Sequence, residues 1–254
     1  MIERSNPIPL YEQLKNKIIE QIDEGILKPG QQIPSERELC EKYNVSRITV
    51  RQAISLAVNE GILLRSHGRG TFVAGPKIQQ GLTKISNFEQ TLAQQGIVGS
   101  TDLLNTDVIP NDFYFSRLLN ISINEPIVNI ELLGYGNELP LVYYTSYFSF
   151  NIGNKFINLA KEKVANHEPF STLDLYGNLS ELYPTHTEQT IEAIVSDDRL
   201  SELLKVEKGS PLLNISSIIY SGNQPLEYKE AFYRGDKYKF FITREFNFNG
   251  ENNE

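Results

Sequence analysis

Between Ser35 and Thr71 the chain places two capped helix signatures a few residues apart and follows them with a glycine-tipped basic hairpin, an order that few folds accommodate. After Ser46 the apolar residues Val50, Ala53, Ile54, Ala57 and Val58 fall on the i, i+3, i+4, i+7, i+8 stripe of an amphipathic helix. Ser46 is a good N-cap, and Gly61 supplies a left-handed stop. Upstream, Pro34 leads into Ser35-Glu36-Arg37-Glu38, a capping box in which the serine and Glu38 satisfy each other's backbone donors. Leu39, Cys40 and Tyr43 give this short helix an inner face, and Asn44 suits the left-handed residue of a tight turn. Gly61 to Arg65 reads as a strand, Ser66-His67-Gly68-Arg69 as a turn and Gly70 to Ala74 as the returning strand. Together these make a winged helix-turn-helix.

The chemistry of the unit points to DNA. Arg47, Thr49, Arg51, Gln52 and Ser55 lie off the apolar stripe, toward the end of the helix where its dipole and free N–H groups favour phosphate. Arg37 and Lys42 face outward on the preceding helix, which in such units crosses the DNA backbone. An arginine pair at i, i+4 is ordinarily a solvated helix face. From Ser46 to Thr71, however, Arg47, Arg51, Arg65 and Arg69 stand against Glu60 alone, in a chain of net charge −8. A cationic island on an acidic protein is a footprint of nucleic-acid contact. The candidate contacts to double-stranded DNA are therefore Arg37, Ser46, Arg47, Thr49, Arg51 and Gln52 from the helices, with Arg65, His67, Gly68 and Arg69 from the wing.

Charge is split unevenly. Residues 1–75 hold 10 Lys and Arg against 9 Asp and Glu, and the remainder holds 14 against 23. The DNA-facing part is basic on one face only, so a homodimer on a near-palindromic operator is the expected way to reach a useful affinity. The single cysteine, Cys40, excludes an intramolecular disulfide and reads as a small core hydrophobe. His67, His167 and His186 are too scattered for a metal site, and no cofactor is expected. The first residues are polar and no run approaches 18 apolar residues, so neither a secretion signal nor a membrane span is expected and the location expected is cytoplasmic.

Gly75 to Gly81 begins with a helix-breaking pair and lacks periodicity, which suggests a linker. Beyond it, Lys84 to Gln95 reads as a helix. Alternating or β-branched runs follow at Asp102–Ile109, Ile127–Tyr135, Leu141–Phe148, Glu188–Val195, Leu212–Ser221, Leu226–Phe232 and Tyr238–Phe246. Helical interruptions fit Asp112–Leu119, Asn154–Lys161, Ser171–Leu175 and Asp197–Leu204, and sharp turn chemistry marks Gly136 to Pro140, Ser221 to Pro225 and Arg234 to Asp236. Many hairpin-linked strands with few helices predict a mostly antiparallel α+β domain. The expected organisation is 1–75 for DNA binding, 76–82 as linker, 83–247 as a second domain, whose effector-binding and dimerisation role is what its resemblance to a known regulator domain implies, and 248–254 as a polar tail.

Pro7 to Leu14, Gly25-Ile26-Leu27-Lys28-Pro29-Gly30, Ile33 to Leu39 and the helix after Ser46 resemble the GntR family of bacterial transcription regulators across residues 7–75. The resemblance implies that Arg37 and Arg47 hold phosphates or guanine edges, that Thr49 and Arg51 sit at the groove, and that Gly68 and its neighbours reach the minor groove. Ile85 to Glu89 with Gly96, then Glu138-Leu139-Pro140, Leu203 to Leu213, Gln224 to Tyr228 and Tyr233 to Tyr238 resemble the UTRA effector-binding domain of the HutC-type branch. That domain's fold is like chorismate lyase, and the likeness implies a small polar metabolite, a sugar or sugar derivative foremost, controlling operator affinity.

One departure bears on the ligand. Many relatives carry an Arg-Leu-Arg stretch that grips a phosphate or carboxylate, where this chain has Leu132-Leu133-Gly134, and Tyr144 replaces a frequent acid. Without those arginines a charged phosphate lacks its bidentate partners. The candidate effector contacts are Tyr144, Ser171, Tyr228, Glu188 and Arg234, of which Arg234, like Glu227, also reads as a brace for the sheet. Two rival classes are an enzyme of chorismate-lyase type fused to a DNA-binding unit and a ligand-independent DNA binder. No nucleophile-base set emerges for the first, and the acidic second half argues against the second.

Overall fold

The computed structural model describes residues 2–3, 6–66, 70–75, 77–82, 87–166, 168–177 and 182–244. The chain divides into two compact units, Met1–Lys77 and Ile78–Glu254.

The first unit runs α1 (Leu10–Asp23), α2 (Glu36–Tyr43), α3 (Arg47–Asn59), β1 (Leu63–Ser66) and β2 (Gly70–Val73). Its core gathers Leu14 and Ile18 of α1, Leu39 of α2, and Val50, Ala53, Ile54 and Ala57 of α3, closed below by Leu63 and Val73. Burying each of the larger side chains contributes roughly 1.5–3 kcal/mol. Both start signals operate as the sequence requires. Ser35 Oγ accepts from the Glu38 backbone N–H at 3.3 Å while Glu38 Oε2 accepts from the Ser35 N–H at 2.8 Å, and Ser46 Oγ accepts from the Thr49 N–H at 3.2 Å. Asn44 takes the left-handed turn at φ 53° and Gly61 the stop at φ 72°. β1 and β2 pair antiparallel with Arg65 opposite Thr71. The expected wing contacts His67, Gly68 and Arg69 lie outside the described residues.

The second unit contains β3 (Ile78–Gly81), α4 (Phe88–Ala93), β4 (Gly99–Ile109), α5 (Phe113–Leu119), β5 (Ile127–Gly136), β6 (Leu139–Ser149), α6 (Phe150–Ala165), α7 (Thr172–Tyr176), β7 (His186–Val195), α8 (Asp198–Leu204), β8 (Pro211–Ser221), β9 (Gln224–Arg234) and β10 (Tyr238–Phe241). Six strands form one sheet in the order β4-β5-β6-β9-β8-β7, antiparallel at every step. The tight β5–β6 turn is made by Asn137 and Glu138, both at positive φ. Strand alternation divides the side chains between two faces. On one face Val128, Ile130, Leu132, Val142, Tyr144 and Phe148 join Leu92 of α4, Phe156 of α6 and Leu175 of α7. On the other, Leu133, Tyr143 and Leu212 pack on Leu200 and Leu204 of α8, and Ile127 and Tyr228 pack on Leu119 of α5.

Among the differences from expectation, three bear on the architecture. Within the presumed linker stretch, Ile78–Gly81 is a strand, paired in parallel with β10 as a two-stranded ribbon apart from the main sheet. A run as short as Ile-Gln-Gln-Gly carries too little alternation to reveal a partner near the other end of the chain. The strand expected over Tyr238–Phe246 covers Tyr238–Phe241, and α6 is longer than Asn154–Lys161 because Ile152, Phe156 and Ala160 continue one buried stripe.

Candidate functional site

Two places carry chemistry. On the first unit, the Ser46 cap fixes the start of α3, and beyond it Arg47, Ile48, Arg51 and Gln52 are exposed while Thr49 is half-buried. Arg51 Nε donates to Glu36 Oε2 at 2.9 Å, so α2 holds the guanidinium of α3. An exposed pair of this kind stabilises the fold by no more than about 1 kcal/mol and is readily exchanged for another partner. Arg37 lies 3.8 Å from Glu41 on its own helix, and Arg65 is exposed on β1. Ile48 is 71% exposed between Arg47 and Thr49. Its signal was available in the sequence, since it falls off the apolar stripe, and an exposed aliphatic group there suits a thymine methyl.

On the second unit, a cavity of about 130 Å³ opens on the face of the sheet covered by α4 and α7. Its aromatic walls are Phe88, Tyr144, Tyr233 and Phe240. Its polar floor comes from neighbouring strands in register: Lys229 of β9 lies opposite Ser217 of β8, which lies opposite Gln189 of β7. Gln189 Nε2 donates to Ser217 Oγ at 2.9 Å. Lys229 Nζ donates to Thr172 Oγ1 at 3.0 Å and sits 4.8 Å from the centre of the Tyr144 ring. Thr172 in turn donates to Glu227 Oε1 at 2.7 Å, and the Tyr176 hydroxyl donates to Glu227 Oε2 at 3.2 Å. Burial, then the neighbouring Glu227 carboxylate, pushes the Tyr176 phenol far above its ordinary range, which keeps it a donor. Burial likewise raises Tyr144, aided by Tyr233 and Tyr238. Gln80, Gly81 and Leu82, on β3 and just after it, complete the lining.

Of the five residues expected at the effector site, the structure brings Tyr144 and Ser171 to this cavity and places the other three elsewhere. Tyr228 and Glu188 are displaced from it by one residue of alternation. Tyr228 points to the opposite face, its hydroxyl 3.0 Å from that of Tyr114 and its ring stacked on Tyr147. Glu188 shares its strand with the cavity residues Thr187 and Gln189 but faces away, accepting from the Tyr220 hydroxyl at 3.3 Å. Arg234 is a brace: it pairs with Asp236 at 2.8 Å and donates to the carbonyls of Pro140 and Leu204. Thr187, Gln189, Ser217 and Lys229 are cavity residues that sequence reasoning missed. The departure at Leu132-Leu133-Gly134 is built into the packing. Leu132 is buried, and a Cβ at position 134 would lie 2.9 Å from both the Phe88 ring and Val142.

Glu89, beside Phe88 on α4, has one buried carboxylate oxygen without a hydrogen-bond partner among the described residues. Burial, then the Asp174 charge, raises its pKa above the ordinary value. A carboxyl raised in the folded state binds more protons there than when unfolded, so it penalises the fold once pH rises through the raised value, and the penalty vanishes below about pH 4. Glu89→Gln should therefore raise the melting temperature at neutral pH, with the gain closing as pH falls toward 4. A gain independent of pH in melting curves would refute this.

Among the described residues, no group of three or more His, Cys, Asp or Glu is placed to hold a metal ion, and no helix is long and apolar enough to cross a membrane. Cys40 is half-buried against the core of the first unit.

Residues 10–73 match the family of bacterial regulatory proteins called gntR, and residues 94–239 match the UTRA domain. The chain is 31% identical over 240 residues to the HTH-type transcriptional repressor NagR of Bacillus subtilis (strain 168), covering 94% of this chain and 96% of that protein. It is 28% identical over 234 residues to the histidine utilization repressor of Pseudomonas putida, covering 92% and 91%. Among solved structures, PhnF from Mycobacterium smegmatis shares the fold with a TM-score of 0.60 at 22% identity, covering 91% of this chain and 99% of that one. With both units matched and the likeness to NagR running nearly end to end, the chain belongs to the gntR family of bacterial regulatory proteins, in the branch whose second unit is a UTRA domain.

Proposed function

We propose that the protein is a transcriptional repressor that binds a near-palindromic double-stranded operator as a homodimer and changes its hold on that operator when a small polar metabolite fills the cavity of the second unit. Arg37, Ser46, Arg47, Thr49, Arg51 and Gln52 read or clamp one half-site per subunit, with Arg65, His67, Gly68 and Arg69 adding wing contacts. A sugar or sugar derivative suits walls of Phe88, Tyr144, Tyr233 and Phe240 above a floor of hydroxyl and amide groups. The second unit is read as a sensor, in line with relatives that are named as repressors.

The observation that carries the coupling is the position of Gln80, Gly81 and Leu82. They line the cavity, and β3 is the first strand after the DNA-binding unit. A ligand in the cavity touches the segment that leads directly out of that unit. It can thereby favour one arrangement of the reading heads over another, to the extent that its affinity differs between the two.

The test is a titration of operator DNA with the full-length protein, by fluorescence anisotropy, with and without a panel of sugars and sugar derivatives, alongside sedimentation analysis. The expected result is a dimer on paired half-sites and a metabolite-dependent change in apparent Kd. Full affinity for one isolated half-site would refute the dimer, and an operator affinity blind to every cavity ligand that binds would refute the sensor.

A further inference from the structure

The cavity has a charge preference that can be read from its floor. Lys229 is the single cation among its described lining residues, and no carboxylate lines it. The nearby Glu227 is fully buried, with its two oxygens taken by Thr172 and Tyr176. An ammonium has three donors. One goes to Thr172, and the Tyr144 ring covers one side of the charge. Hydroxyl groups flank it in register, Ser217 on β8 and Ser146 on β6. Ser146 is fully buried and its hydroxyl has no hydrogen-bond partner among the described residues. A half-buried cation among Phe88, Ile215 and Phe240, with a donor to spare and serines on both sides, is arranged to accept an anion.

We infer that the effector is an anionic metabolite, carrying a carboxylate or a phosphate that Lys229 binds together with the hydroxyl of Ser217, while the aromatic walls hold the rest of the molecule. This rests on the reading of the cavity as the effector site. It moves the charge contact to β9, away from Leu132 and Gly134 on β5, where a Cβ at position 134 would lie 2.9 Å from the Phe88 ring. A single lysine is a point charge without the two-pronged fork of arginine, so it selects for charge more than for the shape of the anion. The two sources of charge are therefore arms of the test.

The experiment compares glucose, glucuronate and glucose 6-phosphate, with free acetate and inorganic phosphate at tens of millimolar, against full-length protein. Tyrosine fluorescence and thermal shift report binding, and operator release is measured in parallel. Anionic probes are expected to bind and neutral glucose to bind at least tenfold more weakly. Lys229→Met should weaken the anionic probes by roughly tenfold or more, and Lys229→Arg, which keeps the charge and controls for folding, should restore most of the loss. A response to the hexuronate alone assigns a carboxylate, and to the hexose phosphate alone a phosphate. Equal binding of glucose and its charged forms, unchanged binding in Lys229→Met, or silence toward every anion would each overturn the assignment. Release of the operator by neutral sugars alone would overturn the charge preference and leave the sensor intact. Anion binding that leaves operator affinity unmoved would do the reverse.

Discussion

Arg51→Ala should lower the preference for operator over random DNA by about 1–3 kcal/mol, the discrimination that one bidentate contact to a base edge provides. Arg51 lies one turn beyond Arg47 on the exposed side of α3, while Val50, Ala53 and Ile54 anchor the opposite side in the core. The Ser46 cap leaves the helix little freedom to fray, so the guanidinium is presented from a fixed backbone. In the free protein its partner is Glu36 at 2.9 Å, which keeps the side chain extended across the α2–α3 junction. Competition titrations at one salt concentration measure the preference, and an unchanged ratio would show that Arg51 does not read bases. Two companions separate the roles. Arg37→Ala should weaken operator and random DNA alike and reduce the salt slope by about one, as the loss of a phosphate contact does. Glu36→Gln should shift the preference far less than Arg51→Ala, because an exposed ion pair contributes at most about 1 kcal/mol.

The first unit was legible because its signals are local. A capping box spans four residues, the Asn44 turn one, and the stripe of α3 repeats within its own helix. The strands of the second unit were legible for the same reason, since alternation and turn residues lie within each hairpin. The cavity was not. Alternation separates Tyr143 from Tyr144, and Tyr228 from Lys229, but it does not say which face α4, α7 and the β3–β10 ribbon will close. That choice depends on packing between segments far apart in the chain, and it puts Lys229 and Gln189 at the cavity and Tyr228 and Glu188 away from it. A lone lysine in a strand reads as solvated. Only the register, which sets it between Ser146 and Ser217 beneath Tyr144, gives it another meaning.

Glu227→Ala should destabilise the second unit by about 3 kcal/mol and abolish the effector response along with it. Glu227 is 0% exposed, and the hydroxyls of Thr172 and Tyr176 both donate to its carboxylate. Hydrogen bonds to a charged group contribute about 1.5–3 kcal/mol each, and truncation leaves both donors buried without that acceptor while opening a void between β9 and α7. The consequence reaches the cavity through Thr172, which receives from Lys229 as it donates to Glu227. Loss of the acceptor frees Thr172 to turn, and the ammonium loses its fixed position. Urea unfolding with a probe in the second unit measures the first effect, and a midpoint unchanged from the parent would show that the carboxylate is not the acceptor holding α7 to the sheet. Thr172→Val, which keeps the shape and removes the relay, should affect ligand binding more than stability. Tyr176→Phe, which removes a donor remote from Lys229, should do the opposite. In a double-mutant cycle, Glu227→Ala with Tyr176→Phe should cost less than the two separately, because the second change removes a hydroxyl that the first had already stranded.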